Sequence, residues 1–192
     1  MQFQSTDLSG LQLVTLDVRQ DERGSFGRLF CQKEMAAAGV AHNIAQVNHS
    51  CTAKAGTIRG LHFQHPPACE TKVIRCVRGA VWDVAVDLRA GSATFLQWRA
   101  FELRSDQPNL VVIPEGFAHG FQSLTDDAEL IYFHSAFYSP EHEAGLHCMD
   151  ARLGITWPLP MTQQSARDQT LPMVSPDFQG LFLPPSGPTS VA

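Results

Sequence analysis

The sequence predicts an all-β chain: a jelly-roll barrel with a ligand cavity and only short helical segments. Three observations carry that expectation. Runs rich in β-branched and aromatic residues recur at spacings of about ten residues, each bounded by Gly, Pro, Asp or Ser. Only one short stretch looks helical. A length of 192 residues with 44% hydrophobic side chains suits one buried core.

Taken in order, Leu11 to Val18 is the first strand, and Gln32 to Ala38 is the helical exception, with Gly39 as its stop. Arg59 to Gln64 follows turn chemistry at Gly60. Strand alternation places Gly60, His62 and Gln64 on one face and Arg59, Leu61 and Phe63 on the other. Arg59 would then share a cavity with His62 only at the end of the strand or through a bulge. Lys72 to Val77 and Ala80 to Leu88 are the next strands, and in the second Asp83, Ala85 and Asp87 alternate with Trp82, Val84 and Val86, which predicts one polar and one apolar face. Thr94 to Leu103, Asn109 to Ile113 and Ala128 to Phe133 follow, with Pro114 and Gly116 enforcing a turn before a further strand. From about Asp150 the rhythm gives way to Pro158, Pro160, Pro172 and Pro176, so the expectation is one domain over residues 1–183 and a mobile tail over 184–192.

A net charge of −5 argues against nucleic acid as a partner, since it offers no general neutralisation of a phosphate backbone. An anionic ligand must be met by local cations. The five cysteines, Cys31, Cys51, Cys69, Cys76 and Cys148, are odd in number, irregularly spaced and never in a C-x-x-C pattern, which indicates neither a disulfide framework nor a zinc cluster. Residues 1–10 lack a basic region followed by an apolar run, and no stretch approaches the roughly 20 apolar residues of a membrane span. A soluble, cytoplasmic protein fits these features.

Several residues are equipped for chemistry. His62 suits proton abstraction near neutral pH if a carboxylate holds its other nitrogen; a strand histidine is equally a satisfied core residue. His119, in Ile-Pro-Glu-Gly-Phe-Ala-His-Gly-Phe over residues 113–121, follows a turn and would line a barrel mouth. A metal site is not indicated, because no second histidine follows His62 two residues on and His65 falls on the other strand face. Tyr132 would donate a proton across a cavity, or sit in the core with its hydroxyl satisfied. Asp168 reads locally as a solvated loop carboxylate, and matters only if the chain folds it back onto His62. Arg23, Arg59 and Lys72, with Arg75 and Arg78, are either a charged strand edge or a binding set for a diphosphate. Neither G-x-x-x-x-G-K-[ST] nor G-x-G-x-x-G occurs, so a nucleotide would be held without those loops.

Seven segments in order carry a resemblance. They are Asp21-Glu-Arg-Gly-Ser-Phe26, Gln46-Val-Asn-His-Ser50, Gly56-Thr-Ile-Arg-Gly-Leu-His-Phe-Gln64, Val81-Trp-Asp-Val-Ala-Val-Asp-Leu-Arg89, Ile113 to Phe121, Tyr138-Ser-Pro140 and Leu153-Gly-Ile-Thr-Trp-Pro158. Together they resemble the dTDP-4-dehydrorhamnose 3,5-epimerase family, cupin-like barrels that epimerise nucleotide-linked 4-keto-6-deoxy sugars. The resemblance implies His62 as general base, Asp168 as its orienting partner, Tyr132 as the acid on the opposite face, and Lys72 and Arg59 steadying the enolate oxygen and the nearby phosphate. It places Arg23, Phe26, Gln46, Asn48, His119, Tyr138 and Glu143 at the substrate. It further implies a dTDP-linked 4-keto-6-deoxyhexose inverted at C3 and C5 on the way to dTDP-L-rhamnose, no cofactor or metal, and a homodimer that shares strands and loop residues.

The chain departs from the family pattern at Arg28, where an acidic residue is common, at Glu70, where an amide is usual, at Phe133 and Phe137, where lysine and tyrosine are frequent, and at Cys148-Met149, where Trp-Asn is common. Those departures keep two alternatives in view: epimerisation at a single centre of a related nucleotide sugar, and a barrel that binds a sugar nucleotide without turnover.

Overall fold

The structure, a computed structural model, describes residues 1–40 and 43–184; the tail expected over 184–192 lies, from residue 185 on, outside the described residues. The chain begins with β1 (Gln2–Ser5), β2 (Gln12–Thr15), β3 (Val18–Asp21), β4 (Gly24–Gly27) and α1 (Gln32–Ala37). It continues through β5 (Gln46–Thr52), β6 (Ile58–Gln64), β7 (Lys72–Arg78), β8 (Ala80–Asp87), β9 (Trp98–Arg104) and β10 (Asn109–Ile113). The last elements are β11 (Phe117–Ser123), β12 (Ala128–His134), β13 (Glu143–Gly145) and α2 (Ala166–Gln169). The result is an all-β, cupin-like jelly roll, as the strand rhythm predicts.

Two antiparallel sheets face each other. One has six strands in the order β1-β2-β10-β7-β12-β5 and the other five in the order β13-β6-β11-β8-β9, while β3 and β4 pair only with each other. Three apolar clusters follow from the strand period of two. Ile74, Cys76, Val81, Ala85, Phe121 and Leu130 meet between the sheets. Leu61, Phe63, Val84 and Val86 form an outer face of the five-stranded sheet that packs with Leu146, Leu153, Val174 and Leu181. Val14, Val73, Leu110 and Val112 meet Met35 of α1 on the other flank.

Both faces of β8 are therefore covered, which corrects the expectation of one polar face. Asp83 and Asp87 are fully buried. They persist there because each is bonded: Asp83 Oδ2 to His119 Nε2, and Asp87 to Arg89, Ser92 and Thr94. The Asp87 bonds also explain why β9 starts at Trp98 instead of Thr94, since Ser92 and Thr94 are tied into a turn beneath that carboxylate. The predicted run Leu11 to Val18 is likewise two strands. The ladder with β10 runs out at Leu16, whose N–H donates to Pro108 O in the same register while the proline has no N–H to return, and the chain passes into the exposed β3–β4 hairpin.

One irregularity bears on the site. His119 pairs with His62 but Phe121 pairs with Arg59, so β6 spends one more residue than β11 over the same length. That is a bulge at Gly60 and Leu61. Gly60 has φ +107°, and a Cβ there would lie 2.6 Å from His119 O and 2.7 Å from the Gly120 Cα, so only glycine fits.

Candidate active site

A cavity of about 1220 Å³ is lined by both sheets and by the chain over residues 161–169. Its first wall is built by rows across the six-stranded sheet. Lys72, His134 and Gln46 are cross-strand neighbours in one row, and Ile74, Tyr132 and Asn48 in the next. The second wall is the five-stranded sheet, where His62 and His119 are cross-strand partners. The bulge turns Arg59 into the same cavity, the route the strand alternation required. Arg59 is anchored by Nε on Thr52 Oγ1 at 3.0 Å and by Nη2 on Cys51 O at 3.1 Å.

Asp168 corrects its local reading as a solvated loop residue: it is 3% exposed, on α2. Ser165 caps that turn by accepting the Asp168 N–H at 3.0 Å, and the carboxylate then reaches back to β6. Its Oδ1 is 2.7 Å from His62 Nε2 and its Oδ2 accepts the Gly60 N–H at 3.1 Å. Burial pushes this carboxyl pKa up, but the bonds from His62, Gly60 and Ser165 outweigh it and hold the group below the usual aspartate range. An ionised Asp168 fixes the proton of His62 on Nε2 and leaves Nδ1 as the basic nitrogen.

His119 Nε2 lies 2.9 Å from Asp83 Oδ2, and burial drives its pKa down despite that carboxylate. The Tyr132 ring stands edge-on to His119, with centroids 6.1 Å apart, and its hydroxyl is 3.2 Å from Ser50 Oγ. Burial raises the phenol pKa, against the smaller effect of the Ser50 bond, so Tyr132 keeps its proton. Lys72 Nζ is 3.3 Å from Glu70 Oε1, and Glu70 Oε2 is 2.7 Å from His134 Nδ1. At the rim, Glu143 accepts the Tyr138 hydroxyl at 2.5 Å and pairs with Arg167 at 2.9 Å, while Gln46 Oε1 accepts the Tyr138 N–H. Burial raises the Glu143 carboxyl pKa, but these two partners prevail and lower it.

Of the candidate catalytic and substrate-contacting residues, all line this cavity except Arg23 and Phe26, and of the additional cations neither Arg75 nor Arg78 does. Arg23 and Phe26 sit on the β3–β4 hairpin, Arg23 paired with Asp21 and Phe26 76% exposed. Arg75 donates to the carbonyls of Arg104, Ser105 and Asn109, and Arg78 pairs with Glu129 and Asp127. Sequence reasoning missed Ser50, His134 and Arg167. His134 was accessible to it, because strand alternation puts residue 134 on the face of Tyr132. Among the described residues no cluster of His, Cys, Asp and Glu is arranged to hold a metal ion, and no helix is long and apolar enough to cross a membrane.

The comparisons with known proteins agree on one family. Residues 5–175 match the family model for dTDP-4-dehydrorhamnose 3,5-epimerase. A protein of that description from Sinorhizobium fredii is 40% identical over 158 residues, 82% of this chain and 81% of its own length. The Bacillus anthracis dTDP-4-dehydrorhamnose 3,5-epimerase with TDP and PPi bound superposes with a TM-score of 0.88 at 38% identity, covering 90% of this chain and 99% of that one. The dTDP-6-deoxy-D-glucose-3,5-epimerase of Legionella pneumophila, in complex with dTDP-4-keto-L-rhamnose, superposes with a TM-score of 0.88 at 32% identity over 94% of this chain and 98% of that one. With a matched model over most of its length, relatives near two-fifths identity and a jelly roll of the same shape, the chain belongs to the dTDP-4-dehydrorhamnose 3,5-epimerase family of isomerases.

Proposed function

We propose that this enzyme inverts C3 and C5 of a dTDP-linked 4-keto-6-deoxyhexose, converting dTDP-4-dehydro-6-deoxy-D-glucose to dTDP-4-dehydro-L-rhamnose. The observation that carries the reading is the His62–Asp168 pair on one wall of a cavity whose other wall presents Tyr132 and Lys72. The ketone at C4 acidifies the neighbouring C–H bonds, and His62 Nδ1 removes a proton while Asp168 stabilises the imidazolium that forms. Lys72 faces the negative charge that develops on the C4 oxygen. Tyr132, neutral because buried, returns a proton from the opposite wall, and addition from that side inverts the centre. Arg59 meets the diphosphate by charge-assisted bonds, and Gln46, Asn48, His119, Tyr138 and Glu143 shape the walls around the sugar and nucleoside.

The active unit in this reading is a homodimer. The β3–β4 hairpin stands clear of its own cavity with Phe26 exposed, which suits a side chain that stacks in the partner's site alongside Arg23. The proposal also takes residues 1–183 as one cytoplasmic domain.

The test is proton NMR of dTDP-4-keto-6-deoxyglucose with the protein in deuterated water, following C3 and C5 separately. The wild-type protein is expected to exchange both, and His62→Asn neither. Exchange at one centre alone would make the enzyme a single-centre epimerase, and exchange that persists in His62→Asn would remove His62 from its role.

A further inference from the structure

Four histidines of the cavity wall pair with carboxylates, His62 with Asp168, His119 with Asp83, His134 with Glu70 and His49 with Glu129, and of these carboxylates Asp168 and Glu70 line the cavity as well. The third differs from the first in a way that decides what it can do. Both nitrogens of His134 are engaged, Nδ1 with Glu70 Oε2 at 2.7 Å and Nε2 with Asn48 Nδ2 at 3.3 Å. The ring therefore has no lone pair to offer a substrate C–H and cannot serve as a base. It can transmit orientation. An amide N–H donates, so Nε2 accepts and Nδ1 carries the ring proton, with Glu70 as the acceptor that favours this tautomer.

The other oxygen of Glu70 faces Lys72 Nζ at 3.3 Å. Lys72 and His134 are direct cross-strand partners, and Glu70 bridges the two. Burial pushes the Glu70 carboxyl up, but His134 and Lys72 outweigh it and keep the group ionised. The resulting chain runs from Lys72 through Glu70 and His134 to Asn48, and among the described residues Asn48 Oδ1 accepts no hydrogen bond.

We propose that Glu70 and His134 are positioning residues: Glu70 aims the Lys72 ammonium at the C4 oxygen, and the Glu70–His134 pair turns Asn48 so that its Oδ1 accepts a hydroxyl of the sugar. This rests on the epimerase reading above. It also assigns a purpose to an acidic residue at a position where the family usually carries an amide. A glutamine would still accept the His134 proton but would leave Lys72 without a counter-charge.

The experiment has two arms. Ring nitrogen NMR of the wild-type protein without substrate is expected to show His134 as the neutral Nδ1–H tautomer; an Nε2–H ring overturns the proposal. In the second arm, Glu70→Ala is expected to lower kcat about tenfold while KM and the Kd for dTDP move less than about twofold, because the lost contact acts on the developing charge and not on the bound nucleotide. Glu70→Gln, which keeps an acceptor for His134 but not the counter-charge for Lys72, is expected to keep the Nδ1–H ring while kcat stays about as low as in Glu70→Ala, and a kcat restored to the wild-type value overturns the role given to Lys72. An unchanged kcat in Glu70→Ala, or a loss of dTDP affinity as large as the loss of kcat, overturns it. Should Glu70→Ala fail to fold, Glu70→Gln and the ring spectrum decide. An Nδ1–H ring in a wild-type protein that exchanges neither sugar proton would support the pair and count against the substrate assignment, so the two readings fail separately.

Discussion

Asp168 holds a negative charge where water scarcely reaches, and it does so because two donors grip the carboxylate, His62 and the Gly60 backbone, while Ser165 fixes its turn by accepting the Asp168 N–H. Its depressed pKa is also a statement about stability. A carboxylate whose native pKa lies below its unfolded value contributes fully above the unfolded value of about 3.9, and the contribution is lost as pH falls through the native value. The gap in Tm between wild type and Asp168→Asn should therefore be widest above about pH 5 and close as the solution is acidified below about pH 4. A gap that is constant with pH would mean that shape, and not charge, is what the residue contributes. The same variant should slow sugar-proton exchange by about a hundredfold, since the imidazole loses both its tautomer lock and its counter-charge. Residue types alone made His62, His119 and Tyr132 visible in the sequence. Asp168 was legible only through the family resemblance, because Ser165 three positions earlier signals a local cap but nothing local says which strand the turn will meet.

At the scale of elements, the period of two does most of the placing. It puts Lys72, His134 and Gln46 in one row and Ile74, Tyr132 and Asn48 in the next, so one face grades from polar groups into the apolar contacts between the sheets. The bulge in β6 breaks that period once, and Arg59 joins the cavity as a result. Gly60→Ala should accordingly cost about 3 kcal/mol or more, from a Cβ driven into the backbone of β11 and a positive φ that alanine resists. Denaturant unfolding checks this, and a loss under about 1 kcal/mol would show that β6 can shift its register freely. The strands β10 and β12 were legible almost to the residue because each is a compact apolar run. The hairpin over residues 18–27 and the strand β5 were not, since their exposed, polar residues carry little of the alternation that burial imposes.

For the whole molecule, the proposed dimer makes a prediction that no single chain can satisfy. If Phe26 serves the partner's cavity, His62→Asn and Phe26→Ala chains, each nearly inactive alone, should complement when refolded together. Equal mixing gives half mixed dimers with one intact site of two, so activity should return to about a quarter of wild type. Activity no greater than the average of the two parents would show that each hairpin serves its own chain. The all-β class and the jelly roll were legible in the sequence because burial is periodic along most of the chain. What was hidden is the segment after Asp150, whose prolines suggested a fading end but which lays Leu153, Val174 and Leu181 over the outside of the five-stranded sheet. That segment also delivers Asp168 to a histidine 106 positions earlier. If His62 is the base, both strand walls leave the ribosome during synthesis before it acquires its partner, and the proposed mechanism has the nascent barrel inert. A single proteolytic cut near residue 160 followed by loss of the distal piece would silence the mature enzyme in the same way, although every strand would still be present.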